Sequence, residues 1–405
     1  MNAASGTPRW ARVLTWVVVG LSIFVAVFYL GGGWYFSNLI DERALDGAAR
    51  RASTEPAYDL EVSRVGDGTI DLVATGDPPD ALDEEGVFGL RWDGGYGQVG
   101  AVRAVGTPVS EGAGGVQREF TLLDGSLPEP GEPAELDVRA FPTDPADAGL
   151  GFEDVSVPGP LGEYPAWLVE GDLATWAIVV HGNSMTRRDV IRILPVLADA
   201  GIPSLTVTYR NDGGAPVDPS GKLRYGLTEW EDLEASVRYA MARGARDIVL
   251  VGYSMGGGIV MAFLQRSELA DEVRAVILDA PMLDFSATVD DNASRETLPL
   301  VGLPLPSSLT AVAKWMAGWR FDVDWDGLDY LAGADAYRVP FLVLHGTRDT
   351  TVPIATSEAF AELRPDLVSL FRCPGAEHIE CWNLDAEAYA RRVLRFLRHT
   401  VGSQG

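Results

Sequence analysis

Cysteine is almost missing from this 405-residue chain: Cys373 and Cys381 are the only two, so neither a multi-disulfide scaffold nor a four-cysteine zinc site can be built. The four histidines are well separated and show no His-Glu-x-x-His or similar spacing, so no metal is expected. Positive charge is scarce too, with 32 Lys and Arg against 58 Asp and Glu, a formal net charge of −26. Nucleic-acid binding rests on cations that neutralise phosphates, so no nucleic-acid partner is expected. Adhesion to anionic lipid by charge is disfavoured in the same way. Spread along the whole chain, the excess acid keeps a surface soluble and points to no substrate. Core-forming material is plentiful, at 47% hydrophobic and 9% aromatic residues, and the chain is longer than one core usually serves. Two folded parts are expected.

After an N-terminal tail, residues 1–12, Val13 to Leu30 reads VLTWVVVGLSIFVAVFYL without a charge, and the apolar character continues to Phe36. Residues 13–36 can therefore span a bilayer as one helix, with Trp10, Trp34 and Tyr35 near its ends where amphipathic rings favour the interface. A cleaved signal peptide has a shorter apolar region, of about 7 to 15 residues, and a small-residue cleavage site. The run here is longer and ends in Trp34-Tyr35-Phe36, which favours an uncleaved single-pass anchor. Arg9 and Arg12 before it suggest an inside N-terminus, placing the rest of the chain on the outer side of the cell membrane. Arg43, Arg50 and Arg51 dilute that bias.

Residues 55–145 hold short β-like runs, YDLEVSRV, TIDLVAT, VFGLRW, QVGAVRAV, REFTLL and ELDVRAF, between Gly, Pro and Asp clusters. They predict a small antiparallel β-rich region without a catalytic motif, suited to packing, spacing or docking. PTDPADAGLG, from Pro142 to Gly151, reads as a linker. From residue 152 to 400 buried strands alternate with amphipathic helices, the pattern of a mostly parallel sheet. Eight strands are expected, at Phe152–Val157, Ala166–Val169, Ala177–Val180, Ser204–Tyr209, Ile248–Val251, Ala275–Leu278, Phe341–Leu344 and Leu367–Phe371. The first two should form an antiparallel edge pair. Helical stretches such as Arg188 to Ala200 and Thr228 to Ala242 would cover the sheet, giving an α/β fold.

The strand DIVLV runs directly into Gly252-Tyr253-Ser254-Met255-Gly256 and then a helical run. A serine at such a turn is held with its hydroxyl exposed, and flanking glycines let the backbone turn without a Cβ clash. The helix N-terminus behind it favours developing negative charge. Serine needs a base and an orienting carboxylate, and two downstream strand ends supply them: Asp349 in HGTRDTTVP and His378 in CPGAEHIECW. With His181-Gly182-Asn183, these motifs make residues 152–400 resemble the α/β-hydrolase superfamily, close to its esterase, lysophospholipase and serine-aminopeptidase branches. The resemblance implies an α/β-hydrolase fold, a catalytic triad of Ser254, Asp349 and His378, and an oxyanion hole from the backbone N–H groups of Asn183 and Met255. It leaves the first 150 residues uncovered.

Other residues compete for these roles. Ser184 lacks the closing glycine and reads as part of the oxyanion loop. Asp279 and Asp284 could supply the acid in a variant geometry, although Asp349 holds the family position. His181 and His345 read as structural members of strand-end turns, His399 as a solvated residue of the last helix. Glu377 and Glu380, with Asp212, Asp218 and Lys222, read as solvated loop groups. A lid-like insertion, residues 281–339, contains LPLVGLPLP and a helix on which Trp315, Met316 and Trp319 have the spacing of one face. It could pack those aromatics on the core or offer an acyl-binding lid.

The expected activity is hydrolysis of a carboxylic ester, from a small molecule or a lipid, through an acyl-enzyme on Ser254, without a cofactor. A serine aminopeptidase or thioesterase is the alternative, and a catalytically idle membrane-tethered binding module is the alternative of another class. Cys373 and Cys381 bracket His378; a bridge bracing the base and two packed thiols are both compatible with their spacing.

Overall fold

The computed structural model describes residues 9–47, 58–109, 113–299 and 301–402. The first eight residues of the tail, and Arg50 and Arg51, therefore lie outside the described residues. The apolar run forms helix α1, Arg9–Ile40, which continues into one π-helical turn, Asp41–Leu45. From Arg12 to Val27 every side chain of α1 is exposed. It is the one helix among the described residues long and apolar enough to cross a membrane.

The β-like runs form six antiparallel strands, β1 (Leu60–Gly66), β2 (Thr69–Ala74), β3 (Phe88–Trp92), β4 (Gly95–Val109), β5 (Ala113–Gly125) and β6 (Pro133–Asp137), closed into a small barrel. Alternation places Leu60, Val62, Ile70, Leu72, Phe88, Leu90 and Trp92 inside, where closure leaves no sheet edge to protect. Arg118 is fully buried in the barrel wall and donates to the carbonyls of Gly100, Ala81, Leu82 and Gly86, so it ties down the loop before β3. Burial lowers its pKa to about 10, against the pull of Glu85 and Glu84.

The second sheet has eight strands: β7 (Glu153–Gly159), β8 (Gly162–Val169), β9 (Thr175–Val180), β10 (Ser204–Val207), β11 (Asp247–Tyr253), β12 (Val273–Asp279), β13 (Phe341–Gly346) and β14 (Val368–Cys373). Their order is β14-β13-β12-β11-β9-β10-β8-β7; β9 to β14 run parallel and β7 and β8 form the expected antiparallel edge pair. Period-two alternation splits each central strand between two cores: Ile178, Val180, Ile248 and Leu250 on one face, Ala177, Val179, Val249 and Val251 on the other. Helices α3 (Trp230–Ala242) and α4 (Met255–Arg266) fill the first face; α2 (Leu194–Asp199) and α9 (Ala386–Thr400) fill the second. The remaining helices are α5 (Phe285–Arg295) and α6 (Ser307–Phe321) of the insertion, α7 (Ile354–Leu363), and a single turn, α8 (Cys381–Leu384).

The apolar helix does not stand apart from this body. A side chain at Gly33 would come 2.7 Å from Val312 Cγ1, and one at Gly32 would press on the end of Leu309 at 3.0 Å, so the two glycines let α6 lie this close. The Arg320 guanidinium lies 3.5 Å over the Trp34 ring and donates to Ser37 Oγ (2.6 Å) and Asn38 Oδ1 (2.7 Å). Lys222 Nζ donates to Asp41 Oδ1 at 2.6 Å, and Leu45 is buried in the core beneath the eight-stranded sheet. On α6 the single-face expectation for Trp315, Met316 and Trp319 fails. Met316 packs beneath Gly33 while Trp315 and Trp319 are 66% and 73% exposed, because neighbouring helical residues point about 100° apart. The aromatics pack on no core.

The barrel meets the second sheet at Asn383, which is buried in α8. Its Nδ2 donates to the carbonyls of Val87 and Val138 (both 2.8 Å), its Oδ1 accepts from Arg192 Nη1 (2.8 Å), and its own carbonyl accepts from Val87 N (2.8 Å). Asn383→Ala removes three side-chain hydrogen bonds at this junction and leaves the Val87 carbonyl without its side-chain donor, which should destabilise the protein by about 2 to 3 kcal/mol. Chemical denaturation followed by circular dichroism measures that loss; an unchanged midpoint would mean that this contact does not hold the barrel.

Candidate active site

Strand β11 delivers the chain into α4 through a turn that forces Ser254 to φ 51°, ψ −119°, a conformation L-residues avoid. The surroundings permit no relaxation by side chains. A Cβ at Gly252 would sit 2.7 Å from the Gly256 carbonyl, and one at Gly256 would run into the Val180 carbonyl. Across the turn, a Cβ at Gly182 would come 2.8 Å from Ser254 Cβ, so the loop after β9 passes directly beside the serine. Met255 opens α4, where the first N–H groups have no intrahelical acceptor. The Asn183 side chain is occupied elsewhere, donating to the Tyr225 hydroxyl at 3.1 Å.

His378 Nε2 lies 2.9 Å from Ser254 Oγ, and its Nδ1 lies 2.7 Å from Asp349 Oδ2. Asp349 Oδ1 accepts from the backbone N–H of Thr351 (2.9 Å) and Val352 (2.8 Å). Burial disfavours the Asp349 carboxylate, yet hydrogen bonds from His345 and His378 hold its pKa well below the usual carboxylate range. The three residues named from motif order are thus brought together from the ends of β11, β13 and β14.

The competing acids fall elsewhere. Asp284 caps α5, accepting from Ala287 N at 2.9 Å. Asp279 ends β12 and is fully buried; desolvation lifts its pKa to about 6, opposed by Arg192, His345 and His378.

Several groups expected to be solvated are not. Asp212 is buried, accepts from Tyr209 N, and lies 2.9 Å from His181 Nε2. Asp218 is buried against Arg210 at 3.3 Å, and Lys222 pairs with Asp41. Glu380 is buried too, accepting from Glu377 N at 3.1 Å; burial pushes its carboxyl above the ordinary value. Glu377 accepts from Thr350 Oγ1 at 3.2 Å, and His399 is exposed on the last turn of α9. Loop residues look alike in sequence whether a strand end closes over them or not. His181 is a buried turn residue as expected, whereas His345 exceeds the structural role read for it: its Nε2 sits 3.2 Å from Asp349 Oδ2, and its Nδ1 lies 2.8 Å from Ser357 Oγ.

Cys373 and Cys381 are bridged, with Cα atoms 5.5 Å apart. The bridge closes the loop that carries His378, and Arg192 Nη1 ties down the Ile379 carbonyl from the other side at 2.9 Å.

Ser254 and His378 open into a cavity of about 690 Å³. Its walls come from the β9 loop (Asn183, Ser184, Met185), from α5 and α6 (Val289, Ala293, Ala313), and from α1 and its π-turn (Phe36, Leu39, Ile40, Ala44). The α1 wall was hidden in the sequence, since a run of apolar residues reads the same whether it faces lipid or a pocket.

Residues 177–392 match the Alpha/beta hydrolase family, more than half of the chain. The chain belongs to that family. Uncharacterized protein YfhR of Escherichia coli K12 is 23% identical over 231 residues, 56% of this chain and 71% of its own. The Salmonella typhimurium protein of the same name is 24% identical over 247 residues, 58% of this chain and 75% of its own. Among solved structures, the Pyrococcus furiosus esterase Pf2001 superposes with a TM-score of 0.52 at 19% identity, covering 64% of this chain and 97% of that one. At that identity the likeness speaks for the fold of this hydrolase.

Asp279 generates a pH prediction. Its folded pKa is raised to about 6, above the roughly 3.9 of an unfolded chain, so the proton it holds stabilises the fold at low pH and that stability is lost as pH rises through 6. Between pH 5 and 7.5 the wild type should lose about 1 kcal/mol more than Asp279→Asn. Denaturant titrations at the two pH values measure the difference; parallel pH profiles would count against it.

Proposed function

We propose that this hydrolase cleaves a carboxylic ester through an acyl-enzyme on Ser254, tethered to a membrane by α1. The observation that carries the reading is the unbroken hydrogen-bond chain Ser254–His378–Asp349 at the floor of a mainly apolar pocket. His378 Nε2 takes the Ser254 proton as Oγ attacks the ester carbonyl, and Asp349 fixes the tautomer and stabilises the imidazolium. The N–H groups of Asn183 and Met255 receive the oxyanion. His378 then protonates the departing alcohol, and in the second half of the cycle it activates the water that releases the acid. An idle binding module has no need of a strained serine turn with base and acid in register.

The ester reading is favoured over an aminopeptidase because Glu296, an acid at the pocket that could receive a free amino terminus, already accepts from Arg43 at 2.6 Å. Two observations support a single-pass anchor with the hydrolase on the outer side of the cell membrane: Arg9 and Arg12 precede the apolar stretch, and the Cys373–Cys381 bridge suits an oxidising compartment.

A fluorophosphonate probe should label the wild type, and Ser254→Ala or His378→Ala should abolish labelling and lower ester turnover at least ~10³-fold. Labelling that survives Ser254→Ala would remove the nucleophile. The full-length chain should stay with membranes through high salt and carbonate, because its attachment is hydrophobic. Release into the supernatant would contradict the anchor.

A further inference from the structure

The insertion leaves apolar surface uncovered in one place. Val301 and Leu303, on the connection between α5 and α6, are 63% and 60% exposed, and Trp315 and Trp319 project together from α6. The connection is not a loose tail. Leu298 N donates to the Leu303 carbonyl (2.7 Å) and Leu305 N to the Glu296 carbonyl (3.0 Å), which makes it a small hairpin presenting those side chains outward.

Where it points follows from the way α6 lies on α1. The Tyr29 hydroxyl meets Ser308 Oγ at 2.8 Å, Gly33 faces Val312 and Met316, and Arg320 reaches Ser37 and Asn38. The two helices therefore run the same way side by side, and the hairpin preceding Ser308 points back along the bare stretch of α1. That stretch, Arg12 to Val27, is about 24 Å long at 1.5 Å per residue, most of a hydrocarbon core of roughly 30 Å. The membrane boundary then falls near Tyr29 to Gly33. The hairpin tip then lies at or below it, and the pairing of Gly33 with Met316 and of Trp34 with Arg320 puts the exposed Trp315 and Trp319 at about the height of the exposed Trp34 and Tyr35, where amphipathic rings favour the headgroup layer.

We propose that this face of the insertion is embedded in the same leaflet as α1, and that the pocket takes its ester, a lipid carrying an acyl chain, directly from that leaflet. This rests on the reading of Ser254 as nucleophile and of α1 as anchor. The pocket wall includes Phe36, Leu39 and Ile40, the last turns of the helix that leaves the membrane, together with Leu305 of the connection and Ala313 of α6. Phe36 stands only about 6 Å along the helix from Gly32, so an acyl chain can pass from the leaflet to the serine along apolar surface. With a net charge of −26, the protein gains nothing from attraction to anionic headgroups, and burial of these side chains is what would hold the face down.

The test uses the full chain in phosphatidylcholine nanodiscs. A nitrobenzoxadiazole label on Val301→Cys should be quenched by doxyl-labelled lipid and shielded from aqueous iodide. Trp315→Asp with Trp319→Asp should lower hydrolysis of diacylglycerol carried in the disc by ~10-fold or more, and leave hydrolysis of soluble p-nitrophenyl butyrate within ~2-fold of wild type. With butyrate turnover intact and dependent on Ser254, a label open to iodide, an unaltered diacylglycerol rate, or a wild type that ignores diacylglycerol would each overturn the inference. Butyrate turnover that survives Ser254→Ala would instead overturn the underlying serine-hydrolase reading.

Discussion

The backbone turn at Ser254 is the constraint on which the rest of the site depends. A residue held at φ 51° between a strand and a helix is tolerable only where neighbours over-determine it, and around Gly252 and Gly256 those neighbours are backbone atoms rather than adjustable side chains. Gly252, Gly256 and Gly182 let β9, β11 and the start of α4 close to distances that any Cβ would prevent. That closeness brings the Asn183 loop and the α4 N-terminus up against Ser254, so the candidate nucleophile and the candidate oxyanion donors are set by one packing event.

The partner of the serine hydroxyl, His378, sits on a loop and needs more help. The loop is closed by the Cys373–Cys381 bridge, tied by Arg192 at Ile379, and backed by α8, whose Asn383 is also where the barrel docks. The barrel thus stands behind the His378 loop, and none of its described residues lines the cavity. Asp349 is held in turn by two backbone N–H groups and by His345, a second imidazole on the same carboxylate. From the far side α1 completes the pocket, because Gly32 and Gly33 let it lie against α6 and Leu45 roots its end in the core.

What could be read in the sequence was whatever a local rule fixes. Eight strands, their edge pair and the order Ser254, Asp349, His378 follow from periodicity and from turn chemistry that needs glycine at set offsets. The β-rich region showed its strands by alternation, but closure into a barrel depends on β6 pairing with both β1 and β3, which no local pattern encodes. Burial of Asp212 and Glu380 depends on which loops fold over them. Trp315 and Met316 parted because an apolar helix between a pocket, a second helix and an uncovered outer side has more than one apolar face. For the same reason Gly32 and Gly33 looked like ordinary residues of a lipid-facing run.

The most direct measurement of the central claim is the trapping of the acyl-enzyme. Wild-type protein mixed with a long-chain p-nitrophenyl ester and quenched in acid within the first turnover should carry one acyl group, located by peptide mass spectrometry on the fragment that contains Ser254. An acyl group on any other residue, or hydrolysis proceeding with no acylated protein at any quench time, would contradict the account.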